Sequence, residues 1–400
     1  MRILIAPDKF KGSLTAGQAA AAMAEGVLRV FPNAAISELP LADGGEGTLE
    51  AAYSAGYEEK VALVSGPTGE SVAARWALRS DAVGTVSAVI ETAEASGLRY
   101  VRKSPHSALR AHSFGCGQLI HAALDAGASE IIVGLGGSAM TDGGLGAMMA
   151  LGLRALDTDG NDVTLGGEAL GAVAAVDASK VDPRLSRVRL RLAVDVRNPL
   201  HGPNGAAHIF GPQKGADRAA VELLDAGLRQ WAAALTEAGG GSTDVPGAGA
   251  AGGFPAPFLA FTNATLESGY ELVAAMTGLN TRLPGTDLVI TGEGSLDLQS
   301  LEGKAPIALA QAAAECGIPV AVVAGRISVT TGQLAHHGVT MSAQLLDLAS
   351  DTHGKPDPAD AMANANWYLE VATQRLLTKL DASGLWPLPQ RGREGLPAGR

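Results

Sequence analysis

Five times along the chain an apolar, strand-like run ends in a loop that mixes glycine or proline with charged, amide or hydroxyl side chains. The loops are PDKFKGS at residues 7–13, DGGEGT at 43–48, GLGGSA at 134–139, DVRNP at 195–199 and GEGSLD at 292–297. Apolar run, glycine loop and helical segment, repeated, is the pattern of an α/β sheet. The 52 glycines among 400 residues are about double the usual share, yet they cluster between apolar runs and show no G-X-Y period. Collagen is excluded, and a disordered chain is disfavoured.

No uncharged apolar run approaches the ~20 residues of a membrane span, and Met1-Arg2 leads straight into the strand-like ILIA without the apolar core of a signal peptide. A soluble, cytoplasmic protein is expected. The formal charge of −11 opposes nucleic acid as a partner. Cys116 and Cys316 lie far apart and lack metal-ligand spacing, so both read as free thiols.

The first strand is expected at Arg2 to Ala6 and a helix from about Thr15, where Thr15 and Gln18 have capping-box spacing. A second strand runs from Ala35 to Leu39, with a helix from Thr48 to Ala55. Short alternating strands follow between Glu58 and Leu78, then strands at Ser87 to Glu91, Glu130 to Val133 and Arg189 to Val194. Helices are expected at Gly115 to Gly127 and Arg218 to Ala238. The βα rhythm returns at Asp287 to Ile290, Val320 to Val323 and Gly338 to Met341. The fold class is therefore α/β with two domains. Residues 1–60 and 284–383 form a flavodoxin-like parallel sheet of order 2-1-3-4-5, residues 61–283 an inserted α/β domain, and 384–400 a disordered tail. In such a sheet, ligands bind beyond the carboxyl ends of the strands where the order reverses, at the loops after the first and third strands.

Chemistry can be assigned loop by loop. Lys11, ahead of a helix start, suits an anion, with Asp8, Lys9 and Ser13 beside it. Asp43 and Glu46 among glycines suit Mg²⁺ or a hydroxyl proton. The backbone of Gly134, Gly136 and Gly137 can cradle phosphate, with Ser138, Thr141 and Asp142 in polar reach. Asp195 with Asn198, and Glu293 with Asp297 between Gly292 and Gly294, could orient a cation or a small acid. Each loop also has a plainer reading as a solvated turn or helix cap.

Together these loops fit phosphoryl transfer, in which a protein mainly positions reactants and neutralises charge. The P-loop, protein-kinase and nucleophile-elbow signatures are absent from the sequence. An alternative is an NAD(P)-dependent oxidoreductase that uses GLGGSA as a dinucleotide fingerprint, with Asp157 or Asp159 as the ribose acid.

Taken in order, the strings APDKFKGSL, PLADGGEGTLEA, ETAEASGL, GLGGSAMTDGGLGAMMALG, AVDVRNPLHGPNGAA, FGPQKGA, PGAGAAGG and DLVITGEGSLDLQSLEGKAP resemble the bacterial glycerate kinases of the type 1, two-domain kind. The resemblance implies transfer of the γ-phosphoryl of ATP, with Mg²⁺, to a hydroxyl of D-glycerate, giving 2-phosphoglycerate. Asp8, Lys11, Asp43, Glu46, Ser138, Asp142, Asp195, Asn198, Glu293 and Asp297 match the family pattern. Lys9 stands where serine is common, Met140-Thr141 replaces a Thr-Asn pair, and His112-Ser113-Phe114 replaces a Thr-Thr-aromatic run.

The expected site is the interdomain cleft, with Asp297 as base, Asp8, Lys11 and Asp43 as further catalytic groups, and Asp195 or Glu293 holding Mg²⁺. Gly134, Gly136, Gly137, Ser138, Asp142, Gly292 and Gly294 are expected to bind ATP. The expected partners are D-glycerate and ATP, with no nucleic acid or membrane, and with a homodimer as the assembly if the chain assembles.

Overall fold

The computed structural model describes residues 1–350 and 354–382. The tail expected to be disordered from residue 384 lies outside the described residues. The chain forms two compact units: Met1–Pro40 with the segment from Asn280 onward, and Leu41–Leu279.

The first unit is built on a five-stranded parallel sheet. The strand Arg2–Ile5 lies between Ala35–Glu38 and Leu288–Thr291, and beyond the latter come Val320–Ala324 and Met341–Gln344. By chain position the order is second, first, third, fourth, fifth. Ile3, Leu4, Ile5 and all of Val320–Ala324 are buried, as suits strands covered on both faces. The helix Ala16–Leu28 starts on the capping box, with Gln18 N–H donating to Thr15 Oγ1 at 3.2 Å and Thr15 N–H to Gln18 Oε1 at 3.0 Å. It packs against the helix Ala365–Ala382. The fifth strand begins at Met341, where the sequence reading ended it. Gly338, at φ +86°, occupies the turn after the helix Thr331–His336, so the chain reaches the sheet three residues later.

The second unit contains a mixed six-stranded sheet. Thr265–Ser268, Arg189–Val194, Glu130–Gly134 and Val86–Glu91 run parallel, and the hairpin strands Ser71–Ser80 and Glu58–Ser65 continue the sheet antiparallel. Glu91 pairs in register with Gly134, Gly134 with Ala193, and Val194 with Ser268, so the loops that follow these four strands start from one edge. The long helix Arg218–Glu237 buries Trp231 completely, and its indole N–H donates to the Gly143 carbonyl at 2.9 Å.

The unit boundary falls at residue 40 rather than 60. The 43–48 loop packs on the six-stranded sheet's glycine loop, and the helix Thr48–Ser54 packs on Val86–Glu91. The strand Thr265–Ser268 and the helices Pro105–Arg110, Gly269–Thr277 and Ala365–Ala382 had no counterpart in the sequence reading.

Candidate active site

In the first unit, the loops after the first, third and fourth strands interlock. Asp8 N–H donates to the Gly292 carbonyl at 2.8 Å, Gly325 N–H to Glu293 O at 3.1 Å, and Arg326 N–H to Gly294 O at 3.1 Å. Gly292 is required here: a Cβ would stand 1.8 Å from the Val323 carbonyl. Phe10 is buried, and its backbone exchanges hydrogen bonds with Leu14 at 2.9 and 3.0 Å, which leaves Lys11 exposed at the tip. Asp8 is buried; its Oδ1 accepts the Lys9 N–H at 2.6 Å and lies 3.7 Å from Lys9 Nζ. Glu293 is buried on the adjoining loop. Asp8, Lys11, Gly292, Glu293 and Gly294 thus share one carboxyl edge at the reversal of strand order. Asp297 follows the short strand Ser295–Leu296, and its Oδ1 accepts from Gln299 N–H at 2.9 Å and Ser300 N–H at 3.1 Å. That oxygen caps a turn, which fixes the carboxylate's orientation.

In the second unit, the 43–48 and 134–139 loops meet backbone to backbone. Leu135 N–H donates to Gly44 O at 3.1 Å, and a Cβ on Gly136 would stand 2.5 Å from Gly45 Cα. Gly137 sits at φ +69° beside Glu46. Asp43 Oδ1 accepts Gly45 N–H at 3.1 Å, Glu46 is exposed, and Ser138 is buried. Glu91 Oε1 accepts from Gly47 N–H at 3.0 Å and Leu49 N–H at 2.8 Å, anchoring the acidic loop. Asp195 is exposed at the end of its strand, while Asn198 Nδ2 donates to Asn204 O at 2.9 Å and braces its own loop.

Asp142 departs from the expected ligand role. It is fully buried, its Oδ2 accepts from Ser113 N–H and Ser113 Oγ, each at 2.7 Å, and from Gly146 N–H at 3.2 Å, and its Oδ1 accepts from Gly144 N–H at 3.2 Å. Four donors on one sealed carboxylate tie together the starts of the helices Phe114–Asp125 and Leu145–Ala150. The dinucleotide alternative fails structurally as well. The glycine loop runs through residues 138–144 before any helix begins, and Asp157 Oδ1 is taken by the Asp159 and Asn161 N–H groups of its own turn, each at 2.9 Å.

Two residue groups were missed as site elements. Lys214, in FGPQKGA, is buried and its Nζ lies 2.5 Å from Met140 O and 3.4 Å from Ser138 Oγ. The stretch PGAGAAGG reads like a linker, yet Gly247 and Gly249 N–H both donate to Asn198 O, at 3.2 and 3.0 Å, and Gly143 N–H donates to Gly252 O at 3.0 Å. The signal for both was the motif itself, lysine or alanine held among glycine and proline.

No group of three or more His, Cys, Asp or Glu side chains suited to a metal ion occurs among the described residues. The donors present are carboxylates at strand ends. Mg²⁺ carried on phosphates asks a protein for one or two carboxylates, and that donor chemistry is present at Glu293 and Asp195.

Backbone glycine loops flanked by carboxylate and lysine, at the carboxyl edges of α/β sheets, define an enzyme that handles small anions. Comparison with known proteins specifies which one. The profile of the Glycerate kinase family matches residues 3–381. Glycerate kinase of Halalkalibacterium halodurans is 45% identical over 86% of this chain and 90% of the relative. Glycerate 2-kinase of Escherichia coli is 44% identical over 85% and 89%. A crystal structure from Salmonella typhimurium, described as a candidate glycerate kinase 2, superposes with TM-score 0.80 at 38% identity, covering 96% of this chain and 99% of that one. The chain belongs to the glycerate kinase family.

Proposed function

We propose that this enzyme transfers the γ-phosphoryl group of ATP to the 2-hydroxyl of D-glycerate, with Mg²⁺ on the phosphates, in the cytoplasm. The observation that carries the reading is the glycine-on-glycine packing of the 43–48 and 134–139 loops, since it sets a glycine backbone of the kind that cradles phosphate beside a carboxylate loop. The Gly134, Gly136, Gly137 and Ser138 loop receives the nucleotide phosphates; Gly292 and Gly294, on the first unit's sheet, are further candidates for contact with the nucleotide. Mg²⁺, when bound, draws charge from the phosphoryl oxygens, and Asp195 or Glu293 holds it.

Lys11, exposed on a braced loop, neutralises anionic charge on glycerate or on the group in transfer. Asp297, oriented by its turn, accepts the hydroxyl proton, and Asp8 and Asp43 are further catalytic carboxylates. In a loose transition state that proton leaves late, so positioning outweighs base strength.

An ADP-coupled assay with D-glycerate tests these roles. Lys11→Ala is expected to lower kcat/KM by about a hundredfold or more with the melting temperature unchanged. Asp297→Asn is expected to lower kcat by at least about tenfold. If Asp297→Asn stays within that limit while Asp43→Asn or Asp195→Asn abolishes turnover at saturating Mg²⁺, the base is not Asp297.

A further inference from the structure

Lys214 ends the single 3-10 turn Pro212–Lys214 and is only 3% exposed. Its ammonium donates to Met140 O at 2.5 Å and lies 3.4 Å from Ser138 Oγ, so it is tied firmly to the loop backbone and loosely to the hydroxyl. One residue further on, Thr141 Oγ1 is buried and finds no hydrogen-bond partner among the described residues.

A buried ammonium is costly unless an anion faces it. The field of Asp142 reaches Lys214, but both Asp142 oxygens are committed to four other donors. Around Asp142, burial pushes the His112 imidazole down and the Cys116 thiol up to about 12, so neither contributes a charge near neutrality. On the helix Ala206–Phe210, His208 faces Asp225 at 3.5 Å, and on the chain packed against Gly215, Arg102 and Lys103 are exposed. The structure thus keeps an ammonium, with no carboxylate bonded to it among the described residues, beneath a loop suited to anions.

We propose that Lys214 is a positioning residue for the nucleotide phosphates, holding Ser138 and Met140 in place and lending the loop its positive charge. The inference rests on the reading that the 134–139 loop holds those phosphates. Burial pushes the Lys214 ammonium down to about 7, with Asp142 acting in the opposite direction. Its charge is therefore present below that pH and lost above it, which gives the role a signature that packing alone lacks.

The test is kcat/KM for Mg·ATP from pH 6 to 9, with melting temperatures, for the natural enzyme, Lys214→Met, Lys214→Arg and Ser138→Ala. The natural enzyme is expected to exceed Lys214→Met by about tenfold at pH 6, through KM rather than kcat, and the ratio to shrink by pH 9 to what the neutral amine's hydrogen bond to Met140 O retains. Lys214→Arg, whose charge does not titrate in this range, is expected to lose the decline above pH 7, and that comparison decides if the methionine variant does not fold. A natural-to-methionine ratio that is constant across pH, or a decline that persists in Lys214→Arg, overturns the proposal alone. Normal Mg·ATP kinetics in Ser138→Ala overturns the loop reading and the proposal with it.

Discussion

Glu91 shows how one side chain holds the 43–48 loop at a cost that depends on pH. It ends the strand Val86–Glu91, and its Oε1 receives the Gly47 and Leu49 N–H groups. Burial pushes its carboxyl up to about 7, outweighing the lowering effect of those two donors, and Glu50 and Glu94 raise it further. Unfolded, the group ionises near 4.5. The raised value means that Glu91 supports the folded state fully below about 4.5, and that this support is lost as pH rises through about 7. The Glu91→Gln variant keeps an acceptor for both N–H groups without the charge. Its denaturant midpoint is expected to rise relative to the natural enzyme between pH 5 and pH 8, whereas an offset equal at both pH values contradicts this.

The charge and glycine content of the loops was legible in the sequence; which carboxylates are sealed inside the fold was not. Asp142 and Asp43 look alike as letters beside glycine. Only the folded chain shows that Ser113, Gly144 and Gly146 enclose Asp142, while Asp43 is half-buried and accepts the Gly45 N–H of its own turn. Lys214 was opaque for the same reason, because its contacts lie more than seventy residues away in sequence.

At the scale of elements, the site depends on loops close enough to exclude a methyl group. Gly136→Ala places a Cβ 2.5 Å from Gly45 Cα, backbone against backbone, so neither side can move alone. The expected result is a loss of about 1–3 kcal/mol in unfolding free energy together with reduced turnover, read by denaturant titration and the ADP-coupled assay. Gly17→Ala is the control: nothing lies within 4 Å of its Cβ position in the helix Ala16–Leu28, and a gain of about 0.5 kcal/mol with unchanged kinetics is expected. Local rules read several elements directly from sequence, such as the Thr15–Gln18 capping box and the alternation of the Glu58–Ser65 and Ser71–Ser80 hairpin. They failed where the pattern is tertiary. Thr265–Ser268 is a four-residue strand placed only by its pairing with Arg189–Val194, and PGAGAAGG looks like a linker until its contacts with Asn198 and Gly143 are seen.

Over the whole chain, one sheet built from both ends and a second within the long insertion were legible because βα units recur at both ends and an alternating hairpin interrupts them. The boundary was harder to see, since the strand Ala35–Glu38 belongs to one unit and the loop that follows it to the other. That loop carries Asp43 and Glu46, and its packing partner, the Gly136 loop, lies ninety residues further along the chain. Both loops are read as serving one phosphoryl transfer, and the chemical outcome of that transfer is the most direct test. The enzyme should be incubated with Mg·ATP and ¹³C-labelled D-glycerate, and the product examined by ³¹P and ¹³C NMR. The account predicts one equivalent of ADP per phosphate ester and phosphorus coupling that identifies the ester oxygen as that on carbon 2. An ester on carbon 3 would contradict the stated position, and no ADP or ester above background would contradict the kinase account itself.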